Sequence, residues 1–213
     1  MREMAQDFTD IPAGLSLSQA TFKRGFDILA AAAGFALTFW IIGLAWIAAT
    51  LDTGANGFFT QERVGRNGRR FRVIKLRTMR IDPGVDTTVT TAGDARITPL
   101  GRLFRRLRLD ELPQLINVLK GDMSLVGPRP DVPGYADTLE SHDRVILSVR
   151  PGITGPATLK YRDEEQMLEN AEDPEAYNRE VIWPDKVGLN REYVENWSFM
   201  RDLHYIWRTV TGR

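Results

Sequence analysis

The sequence predicts a helix-dominated α+β fold, with one membrane-embedded helix near the N-terminus and a compact remainder. Three observations support this prediction: residues 28–51 carry no charge, residues 58–76 show the pattern of a β-hairpin, and apolar residues recur at helical spacing after residue 98. The chain has 213 residues, of which 43 % are hydrophobic and 26 % are charged. These values fit one domain with an appendage, and they exclude a disordered or collagen-like chain.

The residue types leave carboxylates, arginines and lysines as the groups available for chemistry. There is no cysteine, and the two histidines, His142 and His204, lie far apart in the sequence. These counts exclude a disulfide scaffold, a thiolate zinc site and a cysteine nucleophile, and they disfavour a serine–histidine pair. The net charge is zero, but residues 61–120 hold 14 basic and 6 acidic side chains. This excess predicts an anionic partner, which could be phosphate, acidic lipid or nucleic acid.

The uncharged stretch predicts a membrane-embedded helix. Its 24 residues would extend about 36 Å as an α-helix, against a bilayer core of about 30 Å. It lacks the context of a secretory signal, and the alternative is a buried core helix. Basic residues flank both ends, at Lys23 and Arg24 and again from Arg63 onwards, which favours a re-entrant helix with both ends in the cytoplasm. A spanning helix stays open, because the stretch contains no proline and only Gly34 and Gly43 as weak points.

Two short extended runs, residues 58–64 and 70–76, follow the membrane stretch. The pair Asn67-Gly68 between them is a strong signal for a β-hairpin. Residues 82–93 are rich in Thr, Asp and Gly, and they are predicted to form a loop.

Thr98 and Pro99 predict the start of an amphipathic helix, because threonine is a common cap and proline is tolerated at the first helical position. The apolar side follows the spacing i, i+3, i+4 and i+7, at Leu100, Leu103, Phe104 and Leu107. Arginines occupy the opposite side. Such a helix is typical of membrane surfaces; the alternative is a helix that packs on the core and leaves its arginines in solvent.

Further helices are predicted in the second half of the chain. Asp110 is expected to cap a helix over residues 111–120, and residues 162–180 form an acidic helical region. The last helix repeats the amphipathic spacing, at Phe199, Leu203, Ile206, Trp207 and Val210. Trp197 and Trp207 suit a membrane interface, but packing in a core explains them equally well.

Asp110 and Glu111 are the first candidates for chemistry. They follow four arginines at the junction of two predicted helices. A helix N-terminus favours the ionised form of a carboxylate, which can then act as a nucleophile or as a Mg²⁺ ligand. The alternative is structural, because Asp is a common cap and Glu is common in a first turn. The motifs GxxxxGK[ST] and GxGxxG are absent from the sequence, so side chains are expected to bind any phosphate.

Three basic residues are candidates for binding that phosphate. Arg129 stands between two prolines, on a stiff backbone from which a guanidinium can hold phosphate in a bidentate contact. The alternative is an exposed arginine in a turn. Lys75 and Arg77 end the second hairpin strand and point to one side, because side chains alternate with a period of two. They belong either to the same anion site or to a solvated face.

Seven segments of the sequence occur together and in a fixed order. They are residues 23–27 (KRGFD), 59–68 (FTQERVGRNG), 75–79 (KLRTM), 94–98 (DARIT), 109–124 (LDELPQLINVLKGDMS), 127–130 (GPRP) and 150–155 (RPGITG). With these segments the chain resembles the bacterial sugar transferases that start glycan assembly on a polyprenyl phosphate, the small monotopic phosphoglycosyl transferases. The resemblance covers about residues 22–160, and the C-terminal part is similar to that of members that initiate exopolysaccharide synthesis.

The resemblance implies a reaction and a set of residues. A UDP-sugar gives its sugar 1-phosphate to undecaprenyl phosphate and releases UMP, through a covalent aspartyl intermediate and with Mg²⁺. By this resemblance Asp110 is the nucleophile and a metal ligand, and Glu111 is its helper carboxylate. The implied phosphate-binding residues are Lys75, Arg77, Arg96 and Arg129.

The resemblance also implies an organisation and a location. An N-terminal tail (1–21) and a membrane-associated helix (22–52) precede a cytosolic catalytic domain (53–213) on the cytoplasmic face of the bacterial inner membrane. The length predicts the catalytic core without the multi-span region of longer members. One departure concerns the helix break: members usually carry Ser-Pro midway through the membrane helix, where this chain has Phe39-Trp40.

The implied partners are a UDP-sugar, undecaprenyl phosphate and membrane lipid. Nucleic acid is disfavoured, because the chain combines a membrane stretch with no known nucleic-acid-binding motif. The competing hypothesis is a non-catalytic, membrane-anchored scaffold or regulator of polysaccharide assembly. Nothing in the sequence specifies the sugar or an oligomeric state.

Overall fold

The computed structural model describes residues 11–82, 84 and 90–212. The helices are α1 (Leu17–Thr53), α2 (Pro99–Arg106), α3 (Gln114–Lys120), α4 (Pro156–Lys160), α5 (Glu164–Glu169), α6 (Pro174–Tyr177), α7 (Trp183–Glu195) and α8 (Phe199–Thr211). The strands are β1 (Phe58–Val64), β2 (Arg70–Leu76), β3 (Ser124–Val126) and β4 (Gly152–Thr154). Short 3₁₀ segments and one π-helical turn, Asn178–Ile182, connect them. The prediction of a helix-dominated α+β fold is confirmed.

Helix α1 is a single continuous helix of 37 residues, about 55 Å long. It begins at a capping box, in which Ser16 Oγ accepts a hydrogen bond from the Gln19 amide at 3.3 Å. It ends at Gly54, which adopts the left-handed conformation with φ 70°. The helix starts five residues before the predicted boundary, and it passes through Phe39 and Trp40 without a break. It is long and apolar enough to cross a membrane, by length and composition alone.

One stripe of α1 packs against the rest of the fold along most of the helix. The buried members of the stripe are Lys23, Asp27, Ala31, Ile42, Ala45 and Ala49. Ala31 joins an apolar cluster with Val118 and Met123. Ala45 and Ala49 join a second cluster with Leu76 and Phe104. The helix therefore supplies part of the hydrophobic core and is not a detached anchor.

Buried polar contacts fix the N-terminal third of α1. Lys23 Nζ donates to Asp202 Oδ2 at 2.6 Å, and Tyr193 donates to the same carboxylate at 2.7 Å. Asp27 accepts from the Leu125 amide at 3.1 Å. Arg24 donates to two carbonyls at the C-terminal end of α3, at 2.7 and 3.1 Å. Lys23 and Arg24, the basic residues before the apolar stretch, are thus in internal contacts of the fold. Breaking a buried pair such as Lys23–Asp202 costs roughly 3–5 kcal/mol.

The predicted hairpin is confirmed with the predicted bounds. Strands β1 and β2 are antiparallel, with Phe58 opposite Leu76 and Val64 opposite Arg70. The turn places Asn67 and Gly68 at φ 57° and 69°, the left-handed region that Asn and Gly adopt most readily. In the predicted loop over residues 82–93, residues 83 and 85–89 lie outside the described residues, and the others form no helix or strand.

The second sheet is a short parallel pair of β3 and β4, with Ser124 opposite Gly152. Its backbones come so close that a Cβ on Gly152 would lie 2.1 Å from the Gly127 nitrogen, which leaves room for glycine only. The largest apolar cluster lies beside this sheet and includes Val126, Val145 and Tyr193.

The start of α2 is confirmed, but the predicted start of the next helix is wrong. Thr98 Oγ1 accepts from the Gly101 amide at 2.8 Å, and Pro99 is the first helical residue. Asp110 does not cap a helix over residues 111–120. It lies inside a 3₁₀ turn, Leu109–Glu111, and α3 begins only at Gln114.

The C-terminal helices follow the predicted pattern. The acidic region contains α5, α6 and the π-helical turn, and α8 carries the amphipathic spacing. The two tryptophans differ in their surroundings. Trp197 is half-buried and donates from Nε1 to Asp202 Oδ2 at 3.1 Å, whereas Trp207 is 50 % exposed. Core packing therefore explains Trp197 but not Trp207.

Candidate active site

Asp110 and Glu111 lie in the short turn that joins α2 to α3. Arg108 precedes the turn in the left-handed conformation, with φ 57°, a strained backbone for a residue with a side chain. The sharp reversal buries both carboxylates, and Asp110 is 8 % exposed and Glu111 7 %. Two adjacent buried carboxylates need nearby positive charge, and the surrounding elements supply it.

The side chain of Asn117 docks α3 against strand β2. It accepts from the Ile74 amide at 3.0 Å and donates to the Arg72 carbonyl at 2.8 Å, as a neighbouring strand would. Asn117 is fully buried. This contact brings the next residue of the strand, Lys75, to within 3.4 Å of Glu111, measured from Nζ to Oε1.

The loop that carries Arg129 is held from two sides. The Pro128 carbonyl accepts from the Gly152 amide at 2.8 Å, and the Asp131 carbonyl accepts from the Val64 amide at 2.9 Å. Arg63 adds a hydrogen bond to the Pro130 carbonyl at 3.1 Å. A loop fixed in this way by both β1 and β4 presents Arg129 with little loss of conformational entropy on binding.

Glu111 is held by three cations. Its Oε1 accepts from Arg129 Nη2 at 2.9 Å, and its Oε2 lies 3.9 Å from Arg108 Nη1. Burial alone would raise the pKa of Glu111, but the charges of Arg129, Lys75 and Arg108 outweigh burial and hold that pKa at about 2. Glu111 is therefore a permanent anion near neutral pH, and its charge in turn raises the pKa of Arg129.

Asp110 is in a different state from its neighbour. Burial and then the charge of Glu111 raise its pKa to about 6, against the lowering effect of Lys75, Arg105 and Arg108. Within the part of the chain that the structure describes, the buried atom Oδ1 of Asp110 has no hydrogen-bond partner. A buried carboxylate oxygen without a partner is costly, so Oδ1 is a candidate contact for an ion, a water molecule or a ligand.

The structure brings together Asp110, Glu111, Lys75 and Arg129, but places the other two predicted phosphate-binding residues in separate contacts. Arg77 Nε donates to the Asn56 carbonyl at 2.7 Å, and its guanidinium lies over the ring of Phe59. Arg96 is paired with Asp94, at 2.6 Å from Nη2 to Oδ2. In the described structure Arg77 is thus held at the start of β1, whereas Arg96 is held by a residue two positions before it.

Sequence reasoning missed two arginines of the site. It noted the arginines before Asp110 without choosing among them, and the structure selects Arg105 and Arg108, whose charges lower the pKa of Asp110. Arg105 also donates to Thr78 Oγ1 at 2.9 Å and pairs with Glu165 at 2.5 Å. No local signal separated these two from Arg102 and Arg106, because α2 ends at Arg106 and Arg108 lies beyond it in the left-handed conformation.

A third missed residue is Asp131, which directly follows the Pro-Arg-Pro segment. Burial raises its pKa to about 6, although Lys186, Arg63 and Arg129 act in the opposite direction. Lys186 belongs to α7 and pairs with Glu164 at 2.7 Å. The C-terminal helices therefore contribute charges close to Arg129.

The arrangement suits a single metal ion that is shared with a substrate. Among the described residues there is no group of three or more His, Cys, Asp or Glu side chains that could hold a metal by themselves. The unpartnered Oδ1 of Asp110 offers one hard oxygen ligand. Mg²⁺ is commonly bound through one or two carboxylates with substrate phosphates and water as the other ligands, so these residues fit it.

Comparison with known proteins decides the family. Residues 18–212 match the sequence pattern of the family described as bacterial sugar transferase. The chain belongs to the bacterial sugar transferase family. The prediction of a phosphoglycosyl transferase enzyme, made from the order of the seven segments, is thereby confirmed.

Three relatives of this transferase illustrate the match. The UDP-glucose:undecaprenyl-phosphate glucose-1-phosphate transferase of Caulobacter vibrioides is 36 % identical over 193 residues, which cover 88 % of this chain and 68 % of the relative. The exopolysaccharide production protein ExoY of Rhizobium meliloti is 32 % identical, with 88 % and 83 % covered. The uncharacterized sugar transferase EpsL of Bacillus subtilis is 38 % identical, with 88 % and 85 % covered.

Proposed function

We propose that the protein transfers a sugar 1-phosphate from a UDP-sugar to undecaprenyl phosphate and releases UMP, through a covalent intermediate on Asp110. One observation carries the proposal: Asp110 Oδ1 is buried without a hydrogen-bond partner, while the adjacent Glu111 is held by Arg129 and Lys75. The two carboxylates thus differ in role. Asp110 is available to form a bond, whereas Glu111 binds the two cations.

In the first half-reaction, an Asp110 oxygen attacks the phosphorus that bears the sugar. An acyl phosphate bond forms, the bond between this phosphorus and the bridging oxygen breaks, and the electron pair leaves with UMP. Arg129 and Lys75 offset the charge that the diphosphate brings and that the leaving UMP develops. Glu111 does not attack in this scheme. It holds Arg129 and Lys75 in place and is therefore a positioning residue.

In the second half-reaction, a phosphate oxygen of undecaprenyl phosphate attacks the same phosphorus. The acyl phosphate bond breaks, Asp110 is regenerated as a carboxylate, and the product is a lipid-linked diphosphate sugar. Dividing the transfer in this way lets a soluble donor and a lipid acceptor use one small site in turn. Asp110 must be ionised for the first attack, and its raised pKa makes that requirement measurable.

Mg²⁺ is part of the proposal. Asp110 would hold it together with the phosphate oxygens of the donor, and the ion would supply charge neutralisation on the diphosphate. Glu111 is an unsuitable second ligand while Arg129 and Lys75 contact its Oε1 and Arg108 lies near its Oε2.

The packing of α1 indicates how the protein attaches to the membrane. The helix contacts the catalytic domain near both ends, through the Lys23–Asp202 pair and through Ala49 with Leu76 and Phe104. A helix that crossed the bilayer would carry these elements into hydrocarbon, where irregular backbone finds no hydrogen-bond partners. We therefore place α1 along the membrane surface, with its exposed side in lipid and both ends on the cytoplasmic side of the bacterial inner membrane. That exposed side includes Leu29, Leu37, Trp40, Leu44 and Leu51.

Release of UMP tests the proposed function. The detergent-solubilised protein is incubated with undecaprenyl phosphate, Mg²⁺ and a panel of UDP-sugars, and UMP is measured. At least one UDP-sugar is expected to give multiple turnovers that depend on the lipid. Absence of UMP with every sugar would favour the membrane-anchored scaffold, and UMP formation at the same rate without lipid would indicate a hydrolase.

A further inference from the structure

Helix α8 carries an exposed apolar stripe that the proposed reaction does not use. Met200 is 71 % exposed, Trp207 50 % and Val210 81 %, and Leu203 lies between them on the same side. Their spacing of i, i+3, i+7 and i+10 places all four on one helix face. This face is unusual for a helix in water, because it presents several large apolar side chains together.

The opposite side of α8 is anchored, so the helix cannot rotate to bury the stripe. Asp202 is buried and accepts hydrogen bonds from Lys23 and Tyr193. One turn later, Tyr205 packs against the largest apolar cluster, and Thr209 pairs with Thr154 at 2.5 Å. These contacts fix the rotation of α8 about its axis, and they hold the stripe at the surface.

The stripe is continuous with the exposed side of α1. Phe199, at the start of α8, makes edge contacts with both Phe22 and Phe26, with ring centroids 5.0 Å apart in each case. Phe22 is itself 57 % exposed and belongs to α1. The two helices thus present adjoining apolar surfaces that are joined by three aromatic rings.

We propose that the α8 stripe, Met200, Leu203, Trp207 and Val210, is a second lipid contact, lying in the bilayer interface beside α1. Its continuity with α1 favours lipid over a second copy of the chain, because a partner on α8 would have to share the same surface with the membrane. A half-exposed tryptophan among aliphatic side chains is typical of the membrane–water interface. The proposal rests on the membrane attachment of α1 given above.

Site-directed spin labelling tests the proposal, since the natural chain has no cysteine. Met200→Cys and Val210→Cys are each labelled with a nitroxide in the full chain, bound to vesicles of phosphatidylethanolamine and phosphatidylglycerol. Leu37→Cys reports on α1, and Glu172→Cys, exposed in the loop between α5 and α6, serves as the aqueous control. Collision rates with oxygen, which concentrates in lipid, and with a water-soluble nickel chelate are measured. Circular dichroism and UMP release check that each variant is folded.

The expected result is an oxygen-to-nickel ratio at positions 200 and 210 that matches Leu37→Cys and is several-fold above that of Glu172→Cys. Ratios at 200 and 210 equal to the aqueous control, with the α1 label in lipid, would overturn the α8 contact and leave the attachment of α1 intact. An aqueous ratio for Leu37→Cys would overturn both. A third outcome is dipolar broadening between Val210→Cys labels that disappears on dilution with unlabelled protein. If the oxygen-to-nickel ratio at this position is not raised, that outcome would assign the stripe to a second copy of the chain.

Discussion

Arg129 Nη2 donates to Oε1 of Glu111 at 2.9 Å, and this pair sets the state of the neighbouring Asp110. The pair keeps Glu111 ionised, and the charge of Glu111 is the second largest cause, after burial, of the raised pKa of Asp110. The pair also fixes the Arg129 guanidinium on Glu111, the residue next to Asp110, before any donor arrives. Much of the electrostatic environment of the proposed transfer is therefore in place in the resting protein.

Replacement of Arg129 by lysine tests the need for a planar guanidinium. Lysine keeps the positive charge but cannot make two parallel hydrogen bonds to one phosphate group. We expect Arg129→Lys to lower kcat/KM about a hundredfold or more, the scale of losing one charge-stabilising donor. The circular dichroism spectrum should be unchanged, and UMP release measures the rate.

Arg106→Lys is the matched control for this substitution, because Arg106 is an exposed arginine of α2. It should leave kcat/KM within about twofold, since surface substitutions have small effects. Near-normal activity of Arg129→Lys would demote Arg129 to a structural residue of its turn.

The pKa of Asp110 predicts how activity depends on pH. A protonated carboxyl is a poor nucleophile, so kcat/KM should fall as the pH falls through about 6, the pKa of Asp110 in the free protein. Glu111→Gln removes a negative charge next to Asp110 and releases Arg129 and Lys75 from it. Both effects favour the Asp110 anion. The acid limb of the pH profile, where kcat/KM falls, should therefore move to lower pH, while the maximal rate decreases.

The pH profile of UMP release for wild type and Glu111→Gln checks this prediction. Glu62→Gln serves as control, because Glu62 is an exposed residue of the hairpin that pairs with Arg70, and its profile should match wild type. An acid limb that stays in place or moves upward in Glu111→Gln would mean that a group other than Asp110 controls the rate.

The proposed mechanism predicts a requirement for Mg²⁺. Asp110 offers one unpartnered oxygen, and the proposed donor diphosphate would supply further ligands. We expect EDTA to abolish UMP release and added Mg²⁺ to restore it, whereas Zn²⁺, which favours nitrogen and sulfur ligands, should not. Full turnover in excess chelator would remove the metal from the mechanism.

Cysteine labelling tests the position of α1 in the membrane. Thr21→Cys and Thr60→Cys introduce single exposed thiols before and after the apolar stretch. Because both ends of that stretch pack on one domain, both thiols should resist an impermeant reagent in intact cells and react after the cells are opened. Labelling of Thr21→Cys alone in intact cells would show a helix that crosses the bilayer.

Local signals accounted for the parts of the fold that the sequence predicted correctly. The Thr98-Pro99 start of α2 and the Asn67-Gly68 turn depend on the preferences of one or two residues, so they can be recognised without knowing the tertiary structure. Their charge and the family resemblance identified Asp110 and Glu111 as site residues, but their position relative to the helix was predicted wrongly. Asp110 was assigned a capping role that its sequence neighbours allow but the turn at Arg108 prevents.

Contacts between distant segments explain what was not predicted. Lys75 and Arg77 look equivalent in the strand pattern, yet only Lys75 reaches Glu111, because Asn117 docks α3 beside residues 72–74. The flanking residue Lys23 appeared to be a topology signal, and its partner Asp202 lies 179 residues away. The local spacing of residues along the chain predicts neither contact, so each becomes visible only in the folded structure.

Asp110→Asn is the substitution on which the proposed intermediate depends. Oδ1 has no hydrogen-bond partner in the resting protein, and Asp110 does not cap a helix. An asparagine of the same size should therefore fold normally and relieve the cost of a buried charge. It cannot form an acyl phosphate. Glu111→Gln keeps the nucleophile and should still form the intermediate, more slowly.

Trapping of the labelled sugar phosphate tests this account most directly. Each protein is incubated with Mg²⁺ and a UDP-sugar that carries radiolabel in the sugar phosphate, without undecaprenyl phosphate, and is then denatured and counted. Wild type should retain label and release a matching amount of UMP, Glu111→Gln should retain some, and folded Asp110→Asn should retain none. Retention of label by Asp110→Asn together with its loss from Glu111→Gln would contradict the account and make Glu111 the nucleophile.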